Sequence, residues 1–182
     1  MPDRQHHMVP LQQRLAKSDP VAFAELYDAC ADRVGHYLCV LLGGREDAED
    51  VLQETFLRLA RTRHKLAKVE NLDAYVFTIA RNEAARLVGK KSRRLQLERN
   101  SLSGEELFCA AADDLDALEN AEWAAAALRR MDGKLREVLE LKIFAGLTFR
   151  EISRVTGAPQ GTVATRYRAA LAKMREWTVR QS

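Results

Sequence analysis

The sequence predicts an all-α protein of two small helical bundles joined by a linker, with a helix-turn-helix in the C-terminal bundle. Apolar residues recur at helical spacing over most of the chain, and few segments alternate as a half-buried strand would. An acidic stretch without that periodicity separates the two helical regions. Near the C-terminus, two short helical patterns flank Gly157 and Pro159, residue types that end a helix and prevent its continuation.

The composition is that of a globular protein with hydrophobic cores. Of 182 residues, 47% are hydrophobic and 30% are charged, and the net charge is +3. No run approaches the roughly 18 apolar residues of a membrane span, and no secretory signal is visible. Cys30, Cys39 and Cys109 are isolated along the chain, as in proteins whose thiols stay reduced. We therefore expect a cytoplasmic protein without membrane insertion.

Motifs that carry catalysis are missing from the sequence. It contains no phosphate-binding loop, no GxGxxG and no nucleophile elbow. His6 and His7 are adjacent but have no cysteine at ligand spacing, which argues against a zinc site. We expect no catalytic residues, no metal and no cofactor.

The N-terminal part opens with a polar lead-in over residues 1–17. Asp19 and Pro20 then form a helix cap followed by a proline at the first helical position. The predicted helix stops at Gly43 and Gly44. Its apolar face contains Phe23, Leu26, Tyr27, Cys30, Val34, Tyr37, Leu38 and Leu41.

A second helix is predicted from about Arg45 to about Arg63, with four acids in its first turns, where the helix dipole favours them. Its inward side comprises Ala48, Val51, Leu52, Thr55, Phe56 and Leu59. Its opposite face comprises Asp47, Asp50, Gln53, Glu54 and Leu57. Such a face is usually a solvated surface, but the apolar Leu57 among acids favours contact with a basic partner helix.

A polar connection from His64 to Glu70 leads to Asn71, which is expected to cap a third helix. Between Arg81 and Arg99, seven basic residues stand against two acids, a local charge of +5. Tyr75 and Phe77 lie just before this run. Basic residues beside aromatic rings can hold single-stranded nucleic acid by phosphate contact and stacking. The alternative, favoured for any one ring, is that the ring belongs to the core.

Residues 95–113 lack helical periodicity and are predicted to be a linker. From Glu105 to Glu122 there are seven acids and no base, and this stretch is a candidate to cover a basic surface of the free protein. Helices are then expected over about Asp114–Arg130 and Lys134–Phe144, separated by a turn at residues 131–133.

The helix-turn-helix pattern follows. Thr148 and Glu151 form a capping box, Gly157 ends the helix, and a second helix starts at about Gln160. The apolar stripe of that helix is Val163, Tyr167, Ala170, Leu171 and Met174. Residues 160–182 carry five bases and one acid, which favours DNA phosphates. Paired amphipathic helices without DNA binding are the alternative that the pattern alone leaves open.

Two motifs in this order resemble the extracytoplasmic-function (ECF) group of sigma-70 family RNA polymerase sigma factors. REDAEDVLQETFLRL (Arg45–Leu59), followed by NLDAYVFTIARNEA (Asn71–Ala84), is similar to sigma region 2. The segment LREVLELKIFAGLTFREISRVTGAPQGTVATRYRAALAKMRE (Leu135–Glu176) is similar to region 4. The resemblance covers roughly residues 18–94 and 114–178. It implies a region 2-like domain over 18–94, the linker over 95–113 and a region 4-like domain over 114–182.

The resemblance also implies partners and site residues. Core RNA polymerase would bind the face made by Asp47, Asp50, Gln53, Glu54 and Leu57. The single-stranded −10 promoter element would bind Arg63, His64, Lys65, Asn71, Tyr75, Arg81, Asn82, Arg86 and Lys90. The duplex −35 element would bind Gln160, Gly161, Ala164, Thr165, Arg166 and Arg168. An anti-sigma factor is the usual regulator in the family.

The chain departs from the family pattern at two of these positions. Tyr75 stands where the family usually has tryptophan, and Ala164 stands where a basic residue is common. The second departure removes a phosphate or base contact and so affects the −35 preference. Arg166 matches a position that is usually basic, and it has a possible structural role beside Tyr167.

Two other classes of protein remain as alternatives. A response-regulator-type transcription factor also ends in a helix-turn-helix, but it would carry a receiver domain with alternating strands and helices. A protein-interaction adaptor would use both bundles without binding DNA, and it would show no salt-sensitive DNA affinity.

Overall fold

The computed structural model describes residues 8–99, 128 and 130–179. Its elements are α-helices and one short 3₁₀ helix. The α-helices are α1 (Met8–Ala16), α2 (Pro20–Leu42), α3 (Arg45–Arg61), α4 (Leu72–Arg99), α5 (Gly133–Ile143), α6 (Phe149–Thr156) and α7 (Gln160–Val179), and the 3₁₀ helix spans Arg63–Lys68. The all-helical prediction is confirmed for this part of the chain. Most of the acidic stretch and the predicted helix before Met131 lie outside the described residues.

The helix ends follow the capping residues read from the sequence. Asp19 Oδ1 accepts a hydrogen bond from the backbone N–H of Val21 at 2.9 Å, and Gly43 closes α2 in the left-handed conformation with φ 73°. This φ favours glycine because it has no Cβ. Asn71 Oδ1 accepts from the Ala74 N–H at 2.8 Å and caps α4. These predicted boundaries of α2 and α4 are confirmed.

Residues 8–16 of the predicted lead-in form helix α1. Leu11 and Leu15 lie one turn apart and are both buried. Gln12 Nε2 donates to the Val69 carbonyl at 2.7 Å, which ties α1 to the segment before α4. Leu11 and Leu15 therefore anchor a segment that was predicted only as a polar lead-in. Helix α4 continues to Arg99, five residues past the predicted end of the first domain at Arg94.

The first bundle consists of α1–α4. Its core includes Leu26, Val34, Leu59 and Phe77, each fully buried. Tyr27 and Leu41, which belong to the predicted apolar face of α2, are exposed at its edge. That face is too broad for α3 and α4 to cover completely.

A buried acid joins α3 to α4 in this bundle. Glu83 is 3% exposed, and its carboxylate lies 2.6 Å from Arg58 Nη1 and 2.7 Å from Arg86 Nη2. Two arginines thus compensate a charge that would otherwise be costly to bury.

The second bundle consists of α5–α7. Asp132 caps α5 by accepting from the Lys134 N–H at 2.9 Å. The predicted capping box of α6 is present: Thr148 Oγ1 accepts from Glu151 N–H, and Glu151 accepts from Thr148 N–H. Gly157 ends α6 with φ 71°. Buried Val163 and Ala170 hold α7 against α5 and α6.

The two bundles are docked in this structure. Buried Val138, Leu141, Ala145, Leu147 and Ile152 of the second bundle belong to one apolar cluster with the core of the first. Across residues 8–99 and 130–179, no helix is both long and apolar enough to cross a bilayer.

Candidate nucleic-acid and partner-binding surfaces

The candidate partner-binding face of α3 is a stripe of acidic, polar and apolar side chains. Asp50, Gln53 and Leu57 are exposed, and Leu57 has 49% of its surface accessible. Asp47 and Glu54 are partly covered, because Lys91 Nζ lies 2.6 Å from Asp47 and Arg86 Nη2 lies 3.6 Å from Glu54. The structure therefore places all five predicted residues along one face, with two of its acids paired to bases of α4.

Two aromatic residues that were assigned to the core extend the apolar part of this face. Tyr27 is 46% exposed, and its ring packs 4.7 Å from that of half-buried Phe56, the neighbour of Leu57. The helical period placed both rings inward. The sequence did contain a signal for this exposure. The apolar face of α2 is wider than two neighbouring helices can cover, so some of its side chains must stay exposed.

An open cleft of about 180 Å³ connects the acidic face of α3 to the basic side of α4. Its lining consists of Asp50, Val51, Glu54, Glu83, Arg86, Leu87 and Lys90. Residues predicted for two different partners therefore line the same depression.

The polar connection before α4 is a 3₁₀ helix that presents basic side chains. Arg63, His64 and Lys65 are exposed, while Leu66 is fully buried and anchors the segment. Arg63 Nε donates to Ser18 Oγ. The sequence did not reveal that Leu66 fixes this segment to the core.

On α4, exposed Asn82, Arg86 and Lys90 are spaced four residues apart and so share one face. Tyr75 lies half-buried about two turns before Asn82 on this helix. Phe77 is fully buried with its ring 5.5 Å from that of Tyr37. The core interpretation is confirmed for Phe77. Tyr75 keeps an accessible portion beside the polar residues.

Arg81 and Asn71 are the two predicted −10 residues that contact the second bundle. Arg81 Nε lies 2.6 Å from Glu137 Oε1, and this pairing raises the pKa of the guanidinium. Asn71 Nδ2 donates to Glu151 Oε1 at 2.5 Å. The structure therefore brings these two side chains to acids and not to the open face of α4.

The candidate recognition helix is α7. Gln160, Gly161, Thr165 and Arg168 are exposed. Ala164 and Arg166 are half-buried, so of the six predicted residues these two are the less accessible. A Cβ at Gly161 would meet nothing within 4 Å, which leaves room for a larger side chain or for a ligand at this end of α7.

Contacts beneath α7 fix its position relative to α6. The rings of Phe149 and Tyr167 lie 5.4 Å apart, edge to face. Lys142 Nζ lies 5.5 Å from the Phe149 ring centre and donates to the Leu147 carbonyl at 3.0 Å. Ser153 Oγ donates to the Ala158 carbonyl at 2.6 Å and closes the turn. The exposed residues of α7 are therefore presented from a rigid support.

Among the side chains that the structure describes, no three His, Cys, Asp or Glu residues cluster in a way that could hold a metal ion. Cys30 is buried, and burial raises the pKa of its thiol to about 12, which keeps it protonated and unreactive. Cys39 is half-buried with its pKa also raised by burial.

The fold and surfaces define a class: a two-bundle helical protein with a helix-turn-helix and an exposed face of acidic and apolar side chains on α3. Comparison with known families gives the particular family. The family description "Sigma-70 region 2" matches residues 26–94, and "Sigma-70, region 4" matches residues 121–174. The chain belongs to the ECF group of the sigma-70 family.

Relatives with curated names agree with this assignment. The chain is 34% identical over 168 residues to the ECF RNA polymerase sigma factor BldN of Streptomyces coelicolor. The matched region covers 89% of this chain and 62% of that protein. It therefore spans less than two thirds of that relative's length. It is 28% identical over 159 residues to the ECF sigma factor RpoE of Cereibacter sphaeroides, with 87% of each covered.

Solved structures share the fold. The sigma factor RpoE from Bartonella quintana, solved with the anti-sigma factor NepR, matches with a TM-score of 0.68 at 22% identity, covering 86% of this chain and 96% of that chain. CnrH, solved with the cytosolic domain of CnrY, matches with a TM-score of 0.66 at 22% identity, covering 96% of this chain and 98% of that one.

Proposed function

We propose that this protein is a sigma factor that binds core RNA polymerase and directs promoter-specific transcription initiation at −10 and −35 elements. One observation carries the proposal: three surfaces occur together on one chain of this family. They are an exposed acidic and apolar face on α3, a polar and basic face on α4, and the exposed face of the helix α7. Catalysis would belong to the polymerase, so the protein itself has no enzymatic role. It would act in the cytoplasm, where its partners lie.

Core RNA polymerase binds the α3 face. Asp50 and Gln53 supply polar contacts, and Leu57 supplies the apolar area that a solvated acidic surface would lack. Acids on this face attract a basic partner, and the buried apolar side chain stabilises the bound complex. Asp47 and Glu54 complete the acidic potential of the face while paired to α4.

The region 2-like domain holds the −10 element as a single strand. Arg63, His64 and Lys65 contact phosphates, and Asn82, Arg86 and Lys90 continue the polar surface along α4. Extracting a base from a duplex costs a few kcal/mol. Stacking on an aromatic ring such as Tyr75 contributes about 1–3 kcal/mol per base, so the surface can offset the cost of strand opening without ATP. Asn71 and Arg81 join this site.

The region 4-like domain reads the −35 element as duplex DNA. Gln160 and Thr165 lie at the exposed N-terminal half of α7, the part of a recognition helix that meets base edges in the major groove. Arg168 contributes a charged contact. Ala164 is small and uncharged, so this position supplies an apolar contact instead of the basic one common in the family. Gly161 and Arg166 flank these residues.

We also propose regulation by an anti-sigma factor, and a domain division at 18–94, 95–113 and 114–182. Membership of the ECF group supports the regulator, and one of the fold neighbours, the RpoE of Bartonella quintana, was solved with an anti-sigma factor. The region 2-like domain includes α1 in addition, because Leu11 and Leu15 are part of its core.

Co-purification with core RNA polymerase tests the proposal against its alternatives. A sigma factor co-elutes with core enzyme in gel filtration, and its duplex DNA binding is weak without it. A response-regulator-type factor would bind duplex DNA tightly and pass the polymerase without binding. A protein-interaction adaptor would show no salt-dependent DNA affinity.

A further inference from the structure

Arg63, at the start of the 3₁₀ helix, is an arginine whose charge no acid of the described residues neutralises. Its Nε donates to Ser18 Oγ, and its Nη1 donates to the Ala60 carbonyl at 3.1 Å. Both acceptors are uncharged. Four other arginines of α3 and α4 are paired with carboxylates, namely Arg58, Arg61, Arg81 and Arg86. The guanidinium of Arg63 is therefore held in place with its full charge available to an anion.

Ser18 holds Arg63 from an unusual backbone conformation. It follows α1 with a φ of 67°, and among the described residues it alone has a positive φ without being glycine. Side chains rarely adopt this left-handed conformation, and glycine is the usual residue where a helix ends in it. Backbone strain of this kind is found where a side chain has a function. The contact that the structure shows for this side chain is the hydrogen bond from Arg63.

The acid next to Ser18 is already engaged by other groups. Asp19 Oδ2 lies 2.7 Å from Arg14 Nε, and Asp19 Oδ1 caps α2 by accepting from the Val21 N–H. Arg14 also lies 2.8 Å from Glu25. The turn between α1 and α2 therefore presents a neutral hydroxyl to Arg63, although the next residue is an acid.

Helix α1 also fixes the backbone of the segment that carries Arg63. Leu66 is fully buried and belongs to one apolar cluster with Leu11 and Leu15 of α1. Gln12 is 7% exposed, and its Nε2 donates to the Val69 carbonyl at 2.7 Å. With the backbone fixed, the hydrogen bond to Ser18 restricts the long side chain of Arg63. Ordering a flexible side chain before it binds removes part of the entropic cost of binding.

We propose, on the basis of the proposed function, that Ser18 is a positioning residue of the −10 site. It holds the Arg63 guanidinium ready for a phosphate of the single strand and leaves its charge uncompensated. Neither of the two hydrogen bonds uses Nη2, so this amino group can donate to the phosphate. The turn between α1 and α2 thus joins the site through Arg63, from which Ser18 is 45 positions away in the chain.

Ser18→Gly and Ser18→Asn in the full chain are a matched pair. Glycine and asparagine both suit a left-handed backbone, but only asparagine keeps an oxygen that can accept from Arg63. Both changes are also made in an Arg63→Ala background, which separates an effect through Arg63 from a change elsewhere in the fold. Affinity is measured by fluorescence anisotropy with a labelled pool of random-sequence single-stranded DNA of about 12 nucleotides. Stability is measured as the midpoint of thermal unfolding.

We expect Ser18→Gly to weaken binding by roughly three- to tenfold, because Arg63 must then be ordered during binding. Its thermal midpoint should stay within about 2 °C of wild type, since glycine relieves the strained angle. Ser18→Asn should bind like wild type, and neither change should have an effect in the Arg63→Ala background. If Ser18→Gly proves less stable, the comparison in that background decides.

Three results would overturn the inference. They are equal affinities of Ser18→Gly and wild type, a Ser18→Asn variant as weak as Ser18→Gly, and a loss that persists without Arg63. Arg63→Ala binding as tightly as wild type would overturn it as well, because Arg63 would then hold no phosphate. Co-elution of the wild-type protein with core RNA polymerase is measured in parallel. Its absence would remove the proposed function alone, since the affinities test Ser18 and Arg63 without polymerase.

Discussion

Arg81 Nε lies 2.6 Å from Glu137 Oε1, although the two residues are 56 positions apart in the chain. The contact joins α4 to α5 and also receives the Tyr37 hydroxyl. It shows that a residue expected at a DNA-binding surface is held by an acid from the other bundle. If Arg81 contacts DNA, as the family resemblance implies, it must first leave Glu137.

Asp50→Arg combined with Gln53→Ala should weaken binding to core RNA polymerase by roughly tenfold or more, because it reverses a charge in the middle of the α3 face. Both side chains are exposed and make no contact that the bundle needs. Surface plasmon resonance against immobilised core enzyme measures the change, with Glu176→Arg as a control in the other bundle. An unchanged affinity of the double variant, with its helical content intact, would remove this face from the polymerase interface.

Arg168→Ala should reduce transcription from promoters that have a −35 element by roughly tenfold, since a good charged contact to DNA is worth about 1–3 kcal/mol. Arg168 is exposed on the same surface of α7 as Thr165. Arg175→Ala, an exposed residue two turns further along the helix, is the control. Abortive initiation on promoters with and without the element separates the effects. Equal losses on the two templates would contradict a −35 role.

Thr148→Ala should lower stability by about 1 kcal/mol, because it removes the N-cap hydrogen bond of α6. Thr148 Oγ1 accepts from the Glu151 N–H, and Glu151 in turn accepts from the Thr148 N–H at 2.7 Å. We expect the midpoint of thermal unfolding to fall by about 2–4 °C. Thr148→Ser keeps the hydroxyl and should stay near wild type. A serine variant as unstable as the alanine variant would show that the capping box does not account for the loss.

Docking of the bundles should weaken as the pH rises. The hydrogen bond with Glu140 raises the pKa of His36 above its ordinary 6.5, despite partial burial. A group whose pKa is higher in the folded state contributes fully below its unfolded pKa, and the contribution is lost as pH rises through the folded value. The thermal midpoint should therefore fall more between about pH 6 and about pH 8.5 in wild type than in His36→Gln.

His64→Gln, which changes an exposed histidine of the 3₁₀ helix, is the control for that comparison. It should keep the wild-type dependence on pH. If wild type and His36→Gln lost the same stability over this range, the His36–Glu140 pair would not be the titrating contact.

Local signals in the sequence predicted the helices that have explicit ends. Asp19, Asn71 and Thr148 cap α2, α4 and α6 as expected, and Gly43 and Gly157 close helices at left-handed positions. These features depend on neighbours within four residues, so the sequence carries them directly. Helix α1 was missed because it has only nine residues, and the stability of so short a helix comes from tertiary packing.

The docking of the two bundles could not be predicted from the sequence, because it depends on contacts between residues that are far apart in the chain. Periodicity shows that Glu137 and Glu140 lie on a helix dominated by apolar residues, but not which distant groups would compensate their charge. Their partners, Arg81 and His36, are set by the packing of α2 and α4 against α5. In the same way, the assignments of residues to partners followed from family resemblance, and they remain predictions that the variants above test.

Run-off transcription tests the central claim most directly. Purified core RNA polymerase, this protein and fragmented genomic DNA are combined, and the transcripts are mapped. A sigma factor produces discrete transcripts that require the protein, with shared −10 and −35 sequences upstream of their starts. No protein-dependent transcripts, with duplex DNA binding retained in the absence of polymerase, would contradict the claim and favour a transcription factor that acts on DNA alone.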